Sequence, residues 1–447
     1  MKRLLLLAAG LLFILNCFAQ VTPVQTDLMD SFLNQLYKHD KFMGTATIYK
    51  NGTVLYDRQM GEGKIEKKNW KPDADSKYRI GSISKMYTTA MVFQLIEEGK
   101  LTLDTKLDKY YPQIKYSEKI TIRQMLNHHS GIYSFTSMPD YLKWSTEPRT
   151  KEEILKRITD EKPAFKPGKD AEYSNSNFVL LGYIIEDIEG KPYNEVLNER
   201  IIKKIGLKHT NYGVGHKKDK NEAPSFLLME GGWSLYPETD MSIPHGAGAI
   251  VATSKEMGMF ATALFQGKLM PLKWVDTMMT IEDNYGMGVF KYPYYGQDIY
   301  GHTGGIDGFV SMLTYNPNDS VVITLSCNAL NYNNNEIVKG LANIYYGKEF
   351  TIPDFSSQPM DEQEGAKYEG MYTSKDLPLD IKIFYKDGGL MAQATGQGAF
   401  PLDVKGDGKF EFPAAGITIQ FEELKEGKYQ TMKFTQGGKL FNYTRKE

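Results

Sequence analysis

Cysteine is nearly absent from this sequence of 447 residues, which contains only Cys17 and Cys327. No internal disulfide can form once the segment that carries Cys17 is removed. The fold then has to be held by its hydrophobic core, which a chain of this length can build. Cys327 ends an apolar stretch that begins at Val321. We therefore predict that it is a buried structural thiol and not a nucleophile.

An excess of charge of either sign is missing too. Lys and Arg number 53 against 55 Asp and Glu, which gives a formal net charge of −2. Without surplus basic charge the chain has little to hold a nucleic-acid backbone or an anionic membrane surface, so we predict no nucleic-acid partner. The hydrophobic fraction of 41%, with 24% charged residues, is typical of a globular protein with a sizeable core.

Long apolar runs are confined to the start of the chain. A basic beginning, an apolar run over residues 4–15 and the small residue Ala19 predict that residues 1–20 are a signal peptide. The run is too short to span a bilayer, so we expect a mature protein without a transmembrane segment, exported to the periplasm or the cell exterior. An alternative is a lipid anchor on Cys17, although Asn16 before it fits the lipidation pattern poorly.

Most of the chain predicts an α+β domain over residues 21–350. Leu28, Phe32 and Leu36 repeat every four residues, as on one face of a helix, and Asn51-Gly52 predicts a hairpin. A helix from about Ser82 is apolar on nearly every side, which is typical of a buried helix. Further helices are predicted at 121–127, 151–158, 176–187, 254–266 and 336–346, and strands at 309–315 and 320–327. This order predicts one antiparallel sheet formed by both ends of the domain, with helices inserted between them.

The last part of the chain predicts a separate β domain. Residues 351–359 contain two prolines and are typical of a linker. Beyond them apolar and polar residues alternate, as in Ile417/Ile419/Phe421, and glycine-containing turns separate the runs. Short strands at this spacing predict a small all-β barrel or sandwich over residues 360–447.

Ser82-Ile83-Ser84-Lys85 is the only Ser-x-x-Lys sequence in the chain. Residues three apart share a face of a helix, so Lys85 would lie one turn from the Ser82 hydroxyl. A serine becomes a good nucleophile when a nearby base takes its proton, and a lysine can do so if burial lowers its pKa. The alternative is an ordinary surface serine and lysine, since matches of four residues are frequent.

Two other short motifs offer polar groups. Tyr173-Ser174-Asn175 lies in a loop before an apolar helix, where the tyrosine could move a proton and the asparagine could hold a lysine ammonium and a substrate amide. His302-Thr303-Gly304 precedes a strand, and its His and Thr could donate hydrogen bonds to a substrate carboxylate. Gly304 and Gly305 would let a substrate backbone approach closely. Taken alone, each motif is also compatible with a simple turn.

Metal and cofactor chemistry finds no support in the sequence. His128-His129 lacks a third ligand at a convincing spacing, and there is no His-Glu-x-x-His motif. We predict no metal site and no cofactor. The absence of Gly-x-Ser-x-Gly argues against an α/β-hydrolase.

The three motifs together, in this order, resemble the serine β-lactamase and penicillin-binding protein superfamily, and most closely its class C β-lactamases, D-alanyl-D-alanine carboxypeptidases and related esterases. Longer segments also look like family segments, among them 78–87, 98–104, 121–131 and 301–308. The resemblance covers about residues 25–350 and implies a β-lactamase/transpeptidase-like sheet flanked by helices, with a helical subdomain. The tail is similar to the small β-barrel appended to many such hydrolases.

The resemblance also implies roles for individual residues. Ser82 would be the acylated nucleophile, and Lys85 and Tyr173 would together handle its proton. Asn175 would orient Lys85 and the substrate, and the backbone N–H groups of Ser82 and Gly305 would form the oxyanion hole. Class C β-lactamases carry Lys where His302 stands, and a mostly neutral histidine holds a carboxylate less firmly.

This departure favours a carboxypeptidase, amidase or esterase acting on a small-molecule or peptide substrate, including cell-wall-derived ones. Two alternatives remain at this point. One is a β-lactamase, and the other is a non-catalytic binding or sensor protein that has kept the pocket and lost turnover.

Overall fold

The structure is a computed structural model that describes residues 22–65, 68–229, 232–355, 360–377, 379–436 and 439–446. The predicted signal peptide and the alternative anchor at Cys17 lie outside the described residues, as do residues 356–359 of the predicted linker. In the part of the chain that the structure describes, every helix is too short or too polar to span a bilayer.

The helices occupy mainly the first three quarters of the chain. In chain order they are α1 (Pro23–Lys38), α2 (Ser84–Glu97), α3 (Ile122–Leu126), α4 (Tyr141–Trp144), α5 (Lys151–Asp160), α6 (Asn175–Glu189), α7 (Tyr193–Leu197), α8 (Lys203–Ile205), α9 (His245–Gly248), α10 (Ser254–Phe265), α11 (Leu272–Met279), α12 (Asn334–Tyr345) and α13 (Glu362–Gly365). Each helix predicted from the apolar pattern is present, with ends that differ by a few residues.

The strands fall into a main sheet, a barrel and three small sheets. In chain order they are β1 (Phe42–Lys50), β2 (Thr53–Met60), β3 (Gly63–Ile65), β4 (Lys68–Trp70), β5 (Tyr78–Arg79), β6 (Asn211–Tyr212), β7 (Phe226–Met229), β8 (Gly232–Leu235), β9 (Ile250–Ala252), β10 (Phe290–Tyr294), β11 (Gln297–Ile306), β12 (Phe309–Asn316), β13 (Val321–Leu330), β14 (Gly370–Thr373), β15 (Ile381–Lys386), β16 (Gly389–Ala394), β17 (Phe400–Gly406), β18 (Lys409–Phe412), β19 (Ile417–Lys425), β20 (Lys428–Gln436) and β21 (Lys439–Arg445).

The main sheet joins both ends of the α+β region. Its described strands run in the order β10-β11-β12-β13-β1-β2, and every neighbouring pair is antiparallel. The N-terminal hairpin is attached to the C-terminal strands through β1 and β13, where Thr47 lies opposite Thr324. The predicted sheet, closed by both ends with helices inserted between them, is therefore confirmed.

Helices cover both faces of this sheet. One face packs on α1 and α12 through buried residues that include Phe32, Ile323 and Leu341. Residues that alternate with these along the strands, such as Leu313 and Val322, face the larger helical side and belong to its core. Because neighbouring strand residues point to opposite faces, a sheet covered on both sides has apolar residues at nearly every position. Cys327 lies in the first of these cores and is fully buried, as predicted.

The helix α2 crosses the interior of the helical side. Its residues from Ser84 to Leu95 are buried, in keeping with its lack of a polar face. The helix predicted from about Ser82 is present and begins with a turn of a different type. A 3-10 turn over Gly81–Ile83 comes first, and the α-helix starts at Ser84.

The C-terminal strands form a closed barrel. In the described residues β14 to β21 follow one another around it in chain order, with antiparallel pairing throughout and β14 paired back to β21. The alternation read from the sequence places residues such as Ile383, Ile419 and Phe421 in its core. Closure leaves no free strand edge on which another chain could pair. The barrel touches the larger domain through an ion pair between Lys41 and Asp403, with 2.7 Å between the charged atoms.

Candidate active site

Ser82 lies in the 3-10 turn that leads into α2. Gly81, the residue before it, adopts a φ of +50°, in the left-handed region. A Cβ at Gly81 would lie 2.8 Å from the backbone nitrogen of Gly305, so the turn and the strand β11 are in close contact. Glycine at this position satisfies both the backbone conformation and the close approach. Ser82 itself remains partly exposed at this junction.

Lys85 is fully buried and is surrounded by three oxygen atoms. Its Nζ lies 2.8 Å from each of Ser82 Oγ, Asn175 Oδ1 and the carbonyl oxygen of Ala247. Burial holds the pKa of this amine well below its usual value, because the charged form loses its hydration. The amine therefore reaches its neutral form at a lower pH than an ordinary lysine does.

Asn175 begins α6 and has its side-chain orientation fixed from both ends. Its Oδ1 accepts a hydrogen bond from Lys85, and its Nδ2 donates to Thr136 Oγ1 over 2.8 Å. Its backbone N–H donates to Ser134 Oγ over 3.1 Å. The amide therefore presents its oxygen to the lysine and its nitrogen to the loop that carries Thr136.

Tyr173 packs next to Lys85 and Ser82. Its ring centre lies 4.9 Å from Lys85 Nζ and 4.5 Å from the ring centre of His128. Burial raises the pKa of the Tyr173 phenol above its usual value, and a hydrogen bond with Ser82 acts in the opposite direction. The phenol is therefore protonated near pH 7 and can donate a proton at this place.

His302 is buried on β11, on the side of Tyr173. Its Nδ1 lies 2.5 Å from the carbonyl oxygen of Thr303, and its ring centre is 6.2 Å from that of Tyr173 and 4.7 Å from that of Phe290. Burial, followed by the nearby Lys85, lowers the pKa of His302 to about 3. The imidazole is thus neutral at ordinary pH, with its proton on Nδ1.

Thr303 and the two following glycines differ in what they face. Side chains alternate along a strand, so Thr303 leaves β11 on the face opposite His302, beside Tyr292. That His302 and Thr303 donate hydrogen bonds to a substrate carboxylate stays a prediction. A Cβ at Gly304 would lie 1.9 Å from the Ile80 carbonyl oxygen, whereas one at Gly305 would meet no atom within 4 Å.

A cavity of about 260 Å³ opens beside Ser82 and Gly305. Its walls come from the turn of Ser82, the loop before α4, the segment before β9 and the end of β11. They are formed by Gly81, Ser82, Thr136, Tyr141, Leu142, Asn175, Tyr236, Thr239, Pro244, Ala247, Gly248, Gly305, Ile306 and Asp307. A larger cavity of about 540 Å³ lies between the main sheet and α12 and does not include Ser82.

Several groups at the site carry no recognisable signal in the sequence. Ala247 contributes only a backbone carbonyl, which any residue type carries, so no motif could indicate it. Thr136 lies in a short 3-10 turn without a distinctive pattern. His128 attracted attention as a possible metal ligand, and the structure places it under Tyr173 instead. Among the described residues, no three side chains of His, Cys, Asp or Glu gather in a way that would hold a metal ion.

The chain is similar to several known proteins in sequence and fold. A model of the Beta-lactamase family matches residues 29–344 of the chain. The teichoic acid D-alanine hydrolase of Staphylococcus aureus (strain MRSA252) is 27% identical over 311 residues, which cover 68% of this chain and 74% of that protein. The structure of the D-stereospecific amidohydrolase from Streptomyces sp. shares 26% identity with a TM-score of 0.62, and the match covers 72% of this chain and 99% of that one.

A further solved structure, SurE, is similar over nearly the whole length. It shares 19% identity with a TM-score of 0.62, and the match covers 95% of this chain and 99% of that chain. Coverage of this extent reaches into the C-terminal barrel, so the likeness of fold includes both parts of the molecule. The fold that the motifs predicted is confirmed by these structures.

Proposed function

Since this chain belongs to the beta-lactamase family, as the match over residues 29–344 shows, we propose that it is a serine hydrolase that forms an acyl-enzyme on Ser82 and cleaves ester or amide bonds. The substrates we propose are small molecules or peptides that carry a D-amino acid. Two relatives support this class, one named for hydrolysis of D-alanine from teichoic acid and the other for D-stereospecific amide hydrolysis.

The observation that carries the proposal is the set of three oxygens around Lys85 Nζ. A neutral amine has two N–H groups and one lone pair. The oxygens of Asn175 and Ala247 can only accept hydrogen bonds, so they take the two N–H groups. The lone pair is then left for the hydroxyl proton of Ser82, 2.8 Å away. In this arrangement Lys85 is the base that takes the proton as Ser82 Oγ attacks.

Tyr173 would complete the transfer of the proton. Its phenol is protonated and contacts Ser82, so it can give its proton to the leaving oxygen or nitrogen as the bond to the acyl carbon breaks. The proton that Lys85 took from Ser82 then restores the phenol. In the second half of the reaction water attacks the acyl carbon, the same pair moves its proton, and Ser82 is released with the free acid.

The developing negative charge would be held by backbone N–H groups. Those of Ser82 and Gly305 belong to two segments in close contact, since a Cβ at Gly81 would approach Gly305 N and one at Gly304 would approach Ser82 N at 3.3 Å. The open space at Gly305 leaves room for a substrate carbonyl there. Loss of one such donor typically lowers the rate about a hundredfold or more.

The neutral state of His302 supports ester and amide hydrolysis in preference to β-lactam hydrolysis. A lysine in that place would offer a positive charge to the carboxylate that β-lactams carry. His302 is uncharged, with its Nδ1 bonded to the Thr303 carbonyl. We infer that the chain is a poor β-lactamase, although the family shares its name with that activity.

We also propose that the protein acts outside the cytoplasm. The basic start, the apolar run over residues 4–15 and Ala19 support cleavage after a signal peptide. The division at about residues 350 and 360 into a hydrolase domain and a barrel domain remains a proposal of the same kind. It is supported by the change from mixed α/β to all-β structure at that place.

The proposal is tested by labelling Ser82. A fluorophosphonate should add to the wild-type protein at Ser82, as mapped by mass spectrometry, and hydrolysis of a p-nitrophenyl D-alanyl ester should disappear in Ser82→Ala. Ser84→Ala is the matched control, because Ser84 belongs to the same motif but accepts from the backbone of Ile250 over 3.1 Å. Labelling or turnover that survives Ser82→Ala refutes the proposal.

A further inference from the structure

We propose that His128 is the positioning residue for the catalytic loop, because its imidazole and its backbone together hold the segment that carries Tyr173 and Asn175. The role rests on the proposed function, in which those two side chains move the proton and orient Lys85. His128 touches neither Ser82 nor the cavity, so it acts through other residues and is distinct from the catalytic residues.

Two hydrogen bonds connect His128 to this segment. Its carbonyl oxygen accepts from the backbone N–H of Glu172 over 3.1 Å. Its Nδ1 accepts from the backbone N–H of Ser174, also over 3.1 Å. The two donors flank Tyr173, and Ser174 directly precedes Asn175. His128 thus holds the backbone on both sides of Tyr173 and directly before Asn175.

The ring of His128 also packs against Tyr173. Their ring centres are 4.5 Å apart at an angle of 32°. The rings of Phe178 and Tyr285 lie 5.5 and 5.1 Å from the same imidazole and enclose it. His128 is only 2% exposed, so it supports Tyr173 from within the protein and has no contact with bulk water that could bring a proton.

The backbone conformation of His128 shows that an imidazole is placed here against local preference. Its φ is +64°, in the left-handed region that normally favours glycine. The residue ends α3 in a Schellman arrangement, with the N–H of His129 bonded to the carbonyl of Gln124 over 2.8 Å. A glycine in this position would avoid the strain. Such a conformation beside the proposed site motivates the hypothesis that the side chain has a role there.

The protonation state agrees with the geometry. Because Nδ1 accepts a hydrogen bond, the proton of the neutral ring is on Nε2. Burial lowers the pKa of His128 far below its usual value. The acceptor therefore persists across the ordinary pH range, and the loop stays in place.

Two substitutions separate the acceptor from the ring. His128→Asn keeps a side-chain acceptor and tolerates a positive φ but removes the ring. His128→Phe keeps the ring and its contact with Tyr173 but removes the acceptor. Misplacing a reacting group by about 1 Å can lower the rate about a hundredfold. We expect His128→Phe to lower kcat by roughly that factor with little change in KM. We expect His128→Asn to retain most of the wild-type kcat.

The test measures kcat and KM with the D-alanyl ester and the melting temperature of each full-length variant. If His128→Phe retains kcat, or if kcat falls in both variants in proportion to melting temperature, the positioning role is wrong. His128→Leu, which also lacks an acceptor, answers the same question if the phenylalanine variant does not fold. Fluorophosphonate labelling of Ser82 in the wild type is checked in parallel, since its failure would refute the proposed function itself and not the role of His128.

Discussion

At the scale of single residues, the most unusual feature of the site is the buried amine of Lys85. Removing a charged ammonium from water is unfavourable unless it is paired, and no carboxylate contacts Lys85 Nζ among the described residues. Burial therefore shifts the side chain toward its neutral form, in keeping with its lowered pKa. The same property that makes the lysine unfavourable for stability makes it useful as a base.

The pH dependence of the reaction should follow from this amine. Lys85 works as a base only when deprotonated. We therefore expect kcat/KM to be low below the lowered pKa of Lys85 and to rise as the pH increases through it. His302, with a pKa of about 3, should not titrate between about pH 5 and pH 8. We expect this rise in kcat/KM, the acid limb of the pH profile, to occur at the same pH in His302→Gln as in the wild type. The measurement is kcat/KM for the D-alanyl ester as a function of pH.

Lys85→Arg provides the matched comparison, since an arginine side chain keeps its proton at all these pH values. Its kcat/KM should fall by about a hundredfold or more, the usual contribution of general-base catalysis. A shift of the acid limb in His302→Gln would show that the histidine, and not Lys85, controls it. Activity of Lys85→Arg within tenfold of the wild type would be equally incompatible with the lysine as base.

The residues that bear chemistry were partly predictable from sequence. Ser82, Lys85 and Asn175 stand in short motifs with fixed spacing. In the structure, Lys85 Nζ lies within hydrogen-bond distance of the Ser82 and Asn175 side chains. The carbonyl of Ala247 was not predictable, because a backbone group leaves no trace in the residue type. The roles of His302 and Thr303 toward a substrate carboxylate stay predictions, because the motif gives the residue types and not the direction of side chains that alternate along a strand.

At the scale of secondary-structure elements, the junction between the turn at Ser82 and the strand β11 depends on glycine. The two neighbouring glycines of β11 have opposite surroundings. Gly304 lies against the Ile80 carbonyl, and Gly305 faces open space. The strand thus fixes the turn with one residue and leaves room for a substrate with the next.

A methyl group at each position should reveal this difference. Gly304→Ala places Cβ 1.9 Å from the Ile80 oxygen, so the turn or the strand has to move. Overpacking of this kind costs about 1–3 kcal/mol of unfolding free energy, and more where backbone has to shift. Gly305→Ala should stay within about 0.5 kcal/mol of the wild type. Thermal or denaturant unfolding of the two variants measures the difference, and equal stabilities would contradict it.

Elements with a clear apolar period were well predicted, and elements without one were missed. The repeat of Leu28, Phe32 and Leu36 marked α1 because one face of that helix packs on the main sheet. The strand β10 was not predicted. It is an edge strand that contains Pro293, and its exposure alternates only between partly buried and exposed. An edge strand is defined mainly by its neighbour, so a single sequence carries little information about it.

At the scale of the whole molecule, contacts of different kinds join the barrel to the α+β region. The clearest is the ion pair of Lys41 with Asp403, whose side chains are 9% and 28% exposed. Lys41 Nζ also lies 5.7 Å from the ring centre of Phe355. A second contact joins Gly398 to Met229 on the hairpin of β7 and β8. This second contact joins the barrel to the hairpin that precedes Tyr236, a residue in the wall of the cavity.

Removing the carboxylate should weaken this attachment. In Asp403→Asn the Lys41 ammonium remains nearly buried without its partner. We expect a loss of about 1–3 kcal/mol, less than for a fully buried pair because Asp403 is partly exposed. Faster proteolytic cleavage between the domains, at unchanged fluorophosphonate labelling of Ser82, would reveal it. Glu422→Gln, which breaks an exposed pair with Lys433 on the barrel, is the control and should have no measurable effect. Equal cleavage rates in the two variants would rule out a role for Asp403 in docking.

The pairing of β1 with β13 has a consequence for how the polypeptide reaches its native state. Lys50 lies opposite Val321, so about 270 residues separate strands that share hydrogen bonds. During synthesis the hairpin of β1 and β2 emerges first. The edge of β1 that pairs with β13 stays unpaired until nearly the whole α+β region has been made. Contacts between such distant segments form slowly. The nascent chain is therefore unable to acquire the native sheet early, and any truncation before β13 leaves the first hairpin without its partner.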